Sequence, residues 1–454
     1  MDKRVSYFKI ADHIEVYYLT RDKLPIFYAN LLHYRGTIDE LGFKRGIHSF
    51  VLRILLEGPK GKSPSEFSRE LEQRGLRIKT RAGYSISSFE IDGLSDYFFD
   101  SIKELKEIIT NPAFREEDFQ RLLEQYRASV LLGFQDPEFV TTYFSTYLFY
   151  RDLEALRTLP DFGLIPDVFK LSFDELKNYY SSVFNMAPLK LVVVSNIDLS
   201  DKIKELEVLR EIPSGEKRNE VKGNIGKFKK VYIVDMKIEQ AHLRLMVPTI
   251  DRRHQDYQAL RIANFIIGGS DLSSRLMKRL RVREGLTYGV SSLYNPGIPV
   301  DGQIVGANIS IQCETEMRRS RKALELIREE LNEIRKNGFS EEELADAKSF
   351  YKGSLPLRVE SYAQVLSMLT EEIVFGLPFF HWEEEVKDVE NLKLEEVNQA
   401  AFSYFNFDSP FILLVGNASR LEREFKDMDL EVINPWKHIG LKGVSLISLL
   451  KRFF

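Results

Sequence analysis

The sequence contains a single cysteine, Cys313, so the chain can build neither a disulfide framework nor a thiolate zinc site. A lone thiol in a strand-like stretch reads as a small buried hydrophobe. An excess of one charge is also missing. The 64 basic and 68 acidic residues are mixed along the chain and leave a formal charge of −4. That balance argues against nucleic acid or an anionic membrane as the main partner. No apolar run approaches a membrane span. Met1–Tyr7 leads straight into domain-like sequence without an apolar signal core, which makes a reducing cytoplasm the default expectation. No P-loop or Rossmann glycine fingerprint occurs. The seven histidines, His13, His33, His48, His242, His254, His381 and His438, include no helical i,i+4 pair or short-loop pair with a carboxylate between.

What is present is a globular composition. With 454 residues, 44% hydrophobic and 29% charged, the chain is too long for one ordinary core. Its Glu and Lys content beside one Cys suits a thermophilic source. The first half opens with strand-like stretches near His13–Leu19 and Pro25–Tyr34, then a helical segment at Gly46–Leu56. Ser63-Pro64-Ser65-Glu66 is a capping box with proline at the first helical position. A strand pair at Arg77–Thr80 and Ser85–Gly93 precedes helices at Tyr97–Thr110 and Glu116–Leu132. A capped helix from Ser172 then leads to the apolar strand Leu189–Val194.

The second half repeats this order. Phe114-Arg115-Glu116-Glu117-Asp118-Phe119 is echoed by Phe339-Ser340-Glu341-Glu342-Glu343-Leu344. Leu171–Leu176 is echoed by Leu392–Val397, and Phe184-Asn185 by Phe405-Asn406, each before an apolar strand. Three correspondences at a near-constant offset imply two copies of one α+β unit. The fold expected is α+β: two homologous domains, each a mainly antiparallel sheet with helices packed on it, forming a clamshell-like cleft. The domains are placed at 1–211 and 228–434, joined by a polar linker at 212–227 containing Pro213-Ser214-Gly215. Residues 435–454 form an amphipathic tail whose roles, in order, are packing on its own body, partner docking and membrane-surface contact.

The stretch richest in chemistry is Gly268–Tyr288. Its glycine pair lets backbone come close to something. Ser270 or Asp271 can cap the following helix, whose apolar face carries Leu272, Leu276 and Leu280. Gly285 stops the helix, and Leu286–Val290 has strand character. Arg281 and Tyr288 then face one space across a tight corner, a donor set suited to a polarised carbonyl or an oxyanion. Residue chemistry alone favours an arginine serving the helix dipole and a core tyrosine.

The repeat, the element order and Ser274-Arg275-Leu276 followed by Leu280-Arg281-Val282-Arg283-Glu284-Gly285-Leu286-Thr287-Tyr288 resemble the insulinase/pitrilysin peptidases, the inverted-zincin family that includes the mitochondrial processing peptidase. The resemblance runs to about residue 434. It implies that Arg281 and Tyr288 hold substrate and stabilise the tetrahedral intermediate, and it places Gly268, Gly269 and Ser274 at the substrate. The family's H-x-x-E-H zinc motif should lie on the helix at Gly46–Leu56. Ser49, Leu52 and Arg53 occupy those positions, and none of them can ligate zinc or act as a base. Slipping the alignment onto His48 puts Val51 and Leu52 at the remaining positions. The third ligand should fall near Ala128-Ser129-Val130, and Glu124 is one turn too early.

The chain thus keeps the half of the site that binds and polarises an amide and lacks the half that makes hydroxide. No metal or other cofactor is expected on this chain; zinc is expected in a partner. The resemblance implies the Arg/Tyr-bearing subunit of a heterodimeric zinc endopeptidase, inactive alone, working on peptides with a homologous zinc-bearing subunit. A homodimer in isolation is compatible with this. The alternative is a non-catalytic structural or peptide-binding homologue.

Overall fold

A computed structural model describes residues 5–440 except 22, 186, 214, 216, 217, 219, 220 and 271. The chain divides into two packing units. The first gathers residues up to Arg127, Thr158–Val221 and Pro356–His381; the second gathers Ala128–Arg157, Lys222–Leu355 and residues from Trp382 onward.

In the first unit, β1 (Ser6–Ala11), β2 (Ile14–Thr20), β3 (Ile26–His33), β4 (Arg77–Arg81), β5 (Ser87–Leu94) and β6 (Leu189–Ser195) form one sheet, in the order β1-β2-β6-β3-β5-β4. All neighbours are antiparallel except β2 and β6. Strand β6 is buried along almost its whole length, as a continuous Leu/Val run requires. Helices α1 (Ile47–Leu55), α2 (Pro64–Gln73), α3 (Phe98–Thr110) and α4 (Glu116–Gly133) follow β3 and β5, with α4 continuing past Arg127. The capping box at Ser63 forms as expected: Glu66 N–H donates to Ser63 Oγ and Ser63 N–H to Glu66 Oε2.

In the second unit, β7 (Val231–Asp235), β8 (Gln240–Pro248) and β9 (Val290–Asn295) precede a two-stranded ribbon, β10 (Ile298–Val300) with β11 (Gln303–Val305). Strands β12 (Asn308–Glu316), β13 (Phe411–Gly416) and β14 (Leu430–Ile433) complete a second sheet, in the order β14-β7-β13-β8-β12-β9. Here β7 runs parallel to both β13 and β14, and the other pairs are antiparallel. Counting β2 to β6 in one sheet and β7, β8, β9, β12 and β13 in the other, both follow the spatial order first, fifth, second, fourth, third. The duplication read from the sequence is therefore a duplication of topology. The sheets differ at the added edge, where β1 is antiparallel and β14 parallel.

The packing units are discontinuous, where contiguous stretches 1–211 and 228–434 were expected. Helix α5 (Pro137–Phe149) buries Val140, Phe144 and Leu148 and packs on β8 and β13 of the second unit. The equivalent helix of the second copy, Tyr362–Phe375, places Tyr362, Val365, Leu366 and Leu369 against Leu19, Leu32, Val192 and Val194 of the first unit. The expected linker is partly engaged. Arg218 donates to the carbonyls of Tyr34 and Ser85 at 2.6 and 2.7 Å in the first unit. At the C-terminal end, Pro435–His438 form one short helix, with Trp436 against Phe134 and His438 among Tyr143, Phe144 and Tyr147. Burial pushes the His438 imidazole down to about 4. The rest of the expected tail, from residue 441, lies outside the described residues.

Candidate functional site

The corner at Gly268–Tyr288 belongs wholly to the second unit. Its helix begins later than expected, after Ser274, whose buried Oγ accepts the Met277 N–H. Ser270 therefore does not cap it, and Asp271 lies outside the described residues. Leu272 precedes the helix and is exposed, so of the three leucines Leu276 and Leu280 are buried, and Met277 joins them. Arg275 forks onto Glu343, Nε to Oε1 at 2.6 Å and Nη2 to Oε2 at 2.8 Å, and fixes the helix to the repeated Ser340–Glu343 motif. That bidentate pair gives the Ser274-Arg275-Leu276 signature a structural role. Met277–Arg283 adopts wide π-type turns, a geometry frequent at functional sites.

Gly285 has φ +58° and ends the helix, as glycine does at a left-handed stop. The strand expected at Leu286–Val290 starts only at Val290. Side chains capture the intervening backbone instead: Thr315 Oγ1 donates to Leu286 O at 2.6 Å, and Gly289 N–H donates to Thr287 Oγ1 at 3.0 Å. Such local bonds replace ladder pairing. Arg319 adds a donor to Gly285 O at 3.0 Å. The loop that presents Tyr288 is thus tied down on both sides.

Arg281 and Tyr288 both line a cavity of about 560 Å³, together with Gly268, Gly269 and Ser270. Tyr288 is 83% exposed. Among the described residues neither its hydroxyl nor the Arg281 guanidinium has a hydrogen-bond or ion-pair partner. Both donor groups therefore remain available to a ligand. Gly268 has a second reason to be glycine. A Cβ there would meet Ser292 N at 2.7 Å and Ser292 Cβ at 2.8 Å on β9. Buried Asn264 fastens the same contact, accepting from Ser292 Oγ at 2.6 Å and donating to Ser292 O at 3.1 Å. Ser274 is not among the residues around the cavity. Cys313 does line it, and burial pushes its thiol up to about 12, so the sulfur stays protonated and inert.

The positions expected to match the zinc motif lie on α1 in the first unit. Ser49 is buried and donates to Gly46 O at 3.0 Å, Leu52 is buried, and Arg53 donates to Asp161 O at 3.2 Å. A hydroxyl already bonded to backbone, a hydrocarbon and a guanidinium offer zinc no ligand set. These positions do not fit the metal. His48 is fully buried, with Nδ1 2.9 Å from Tyr179 Oη and Nε2 2.7 Å from Ser87 Oγ. Burial holds its imidazole well below the usual range and keeps it neutral. At the third-ligand position Val130 is buried apolar, and Glu124 pairs with Arg127.

Three further residues line the cavity, Glu138, His242 and Glu314. Spacing along the chain conceals them, because His242 and Glu314 are partners across the antiparallel β8–β12 ladder and Glu138 comes from the first turn of α5. Alternation within β8 and β12 was the available signal. His242 and Arg244 share a face with Gln312 and Glu314, a polar patch in otherwise apolar strands.

Residues 170–351 match the family model described as "Peptidase M16 inactive domain". The chain is 24% identical over 411 residues to the "Non-peptidase homolog YmxG" of Helicobacter pylori, covering 90% of this chain and 93% of that protein. It is 23% identical over 393 residues to the "Uncharacterized zinc protease YmxG" of Bacillus subtilis, covering 84% and 90%. Among solved structures, a peptidase M16 inactive domain from Pseudomonas fluorescens superposes with a TM-score of 0.81 at 23% identity, over 91% of this chain and 98% of that one. A protease from Helicobacter pylori superposes with a TM-score of 0.75 at 15% identity, over 91% and 99%. These structural likenesses carry the fold.

Proposed function

We propose, on the premise that this chain is an inactive M16-family peptidase homologue, that it is the Arg/Tyr-bearing subunit of a heterodimeric zinc endopeptidase. One observation carries the reading. Arg281 and Tyr288 stand at one cavity without a side-chain partner among the described residues, while Ser49, Leu52 and Arg53 occupy the positions where the family resemblance would put the metal ligands and the base. A corner pinned by Thr315 and Arg319 preorganises donors for a developing oxyanion. The water-activating zinc would come from a homologous partner. Strand β9 is the last in its sheet, so a peptide can add along it and bring a carbonyl toward Arg281 and Tyr288.

The test is reconstitution. The chain is mixed with a zinc-bearing homologue from the same source, and cleavage of an unstructured peptide is measured. Activity present only in the mixture, and reduced about 10²–10³-fold by Tyr288→Phe, is the expected result. Unchanged turnover by that variant removes the oxyanion role. The name of the Helicobacter relative, a non-peptidase homologue, favours a second reading as a peptide-binding or structural subunit. Peptide binding without any gain of cleavage in the mixture would select it.

A further inference from the structure

We propose that Glu138, His242 and Glu314 form a binding site for one divalent first-row cation of the zinc or manganese type, held by this chain in its own second unit. The side chains converge: one ligand atom from each lies within 4.8 Å of the others. They come from three different elements, α5, β8 and β12. The helix start and the strand ladder fix their backbones, and the two glutamates keep the freedom to close by a rotamer change.

The second observation is the state of His242. The residue is only 9% exposed, and its buried Nδ1 has no hydrogen-bond partner among the described residues. That nitrogen faces Glu314 Oε1 at 3.6 Å, too long for a hydrogen bond. The separation is close to the roughly 3.4 Å expected between two ligands that each sit about 2.1 Å from a tetrahedral ion. With the ring proton on Nε2, Nδ1 points a lone pair at the carboxylate, an arrangement that a cation between them would relieve.

Charge supports the same assignment. Arg244 is engaged, donating to Glu138 Oε1 at 2.7 Å and to Gln312 Oε1 at 2.6 Å. It orients Glu138 and leaves the remaining lone pairs free for a metal, as an outer partner does for a ligating carboxylate. Glu314 has no ion-pair neighbour but His242 among the described residues. One imidazole and two carboxylates suit zinc or manganese better than calcium or magnesium. Three protein ligands would leave a coordination position open, and all three residues line the same cavity as Arg281 and Tyr288. A carbonyl or carboxylate oxygen of a bound peptide is the chemistry that would complete the shell.

This site is independent of the partner-subunit reading, so it is tested on the full-length chain alone, free of any tag. After treatment with chelator and exchange, the protein is titrated with Zn²⁺ and with Mn²⁺ by calorimetry. Binding of one equivalent is expected for at least one ion, weakened at least tenfold by His242→Ala and by Glu314→Gln. Thermal unfolding checks that both variants are folded, and the isosteric Glu314→Gln guards against a packing artefact. His254→Ala, at a histidine outside the cluster, is expected to leave the affinity unchanged. Absence of binding by the native chain, or His242→Ala binding as tightly as the native chain, overturns the proposal. Loss of binding in His254→Ala overturns it as well. None of these outcomes bears on whether a zinc-bearing partner restores cleavage.

Discussion

Glu40 Oε1 accepts the backbone N–H groups of Gly46 and His48 at 2.9 and 2.8 Å, from a side chain with no solvent exposure. It caps α1, the helix that carries Ser49, Leu52 and Arg53, in place of an ordinary N-cap residue. Burial pushes its carboxyl up to about 8, against the lowering effect of those same bonds. A folded-state value above the unfolded one means the native state holds the extra proton. Its contribution is then complete below the unfolded value of about 4.5 and is lost as pH rises through about 8. His33 and His48 act oppositely, since burial lowers both imidazoles, His33 to about 3. The informative quantity is therefore a difference. Glu40→Gln mimics the protonated acid, so the Tm advantage of the native chain over this variant should shrink steadily from pH 5 to pH 8. A constant difference across that range would show that the carboxyl does not titrate there.

Arg281→Ala and Tyr288→Phe should leave stability within about 0.5 kcal/mol, because both side chains are exposed and bond to nothing among the described residues. Urea unfolding checks this. Combined with a loss of reconstituted cleavage, a silent stability result separates a functional role from a packing role. A Tyr288→Phe variant that unfolds earlier by several kcal/mol would mean that the hydroxyl has a structural partner.

Much of this was legible in the sequence, for physical reasons. The Ser63 capping box, the Gly285 stop and the apolar strand at Leu189 are local signals, and each forms where the residues placed it. The duplicated order of elements emerges as identical strand order in the two sheets. The errors lie where side chains reach across the fold. Leu286–Gly289 fails to become strand because Thr287 and Thr315 take its backbone groups. Arg275, read only as part of a signature, is bound to Glu343, sixty-eight residues away. Helix α5 follows the first copy in sequence yet packs on the second sheet, which no local periodicity encodes. His242 and Glu314 become neighbours only through the β8–β12 register.

Gly268→Ala should destabilise by about 1–3 kcal/mol, the usual range for overpacking. The added methyl meets backbone nitrogen and Cβ of Ser292 at 2.7 and 2.8 Å, and neither is the end of a flexible side chain. Since Gly268 also lines the cavity, any loss of peptide affinity in this variant has to be compared with Gly269→Ala. There the nearest atom is the Asn264 amide nitrogen at 3.3 Å. Gly269→Ala should retain stability to within about 1 kcal/mol. If it nevertheless weakens peptide binding, the glycine pair acts on substrate as well as on β9. Equal destabilisation by both substitutions would contradict the packing account.

Writing an H-x-x-E-H motif onto α1 by Ser49→His, Leu52→Glu and Arg53→His tests whether this helix can carry a metal site. Leu52 is 2% exposed, so a glutamate there loses about 2 kcal/mol of apolar burial before its charge is considered. The desolvated carboxylate adds to that, and the total should reach at least about 3–5 kcal/mol. Leu52→Met, close in volume, should cost less than about 1.5 kcal/mol and serves as the control. The deficit of Leu52→Glu should narrow toward pH 4, where the buried acid is neutral, and urea unfolding at pH 4 and pH 7.5 reads the comparison. Ser49 is buried and bonded to the Gly46 carbonyl, so an imidazole there loses that bond and has to be accommodated inside the core. The triple variant should therefore be less stable than the native chain at neutral pH and gain no second equivalent of zinc. Tight zinc binding that restores its stability would mean that α1 keeps the geometry of a metal helix beneath its apolar side chains.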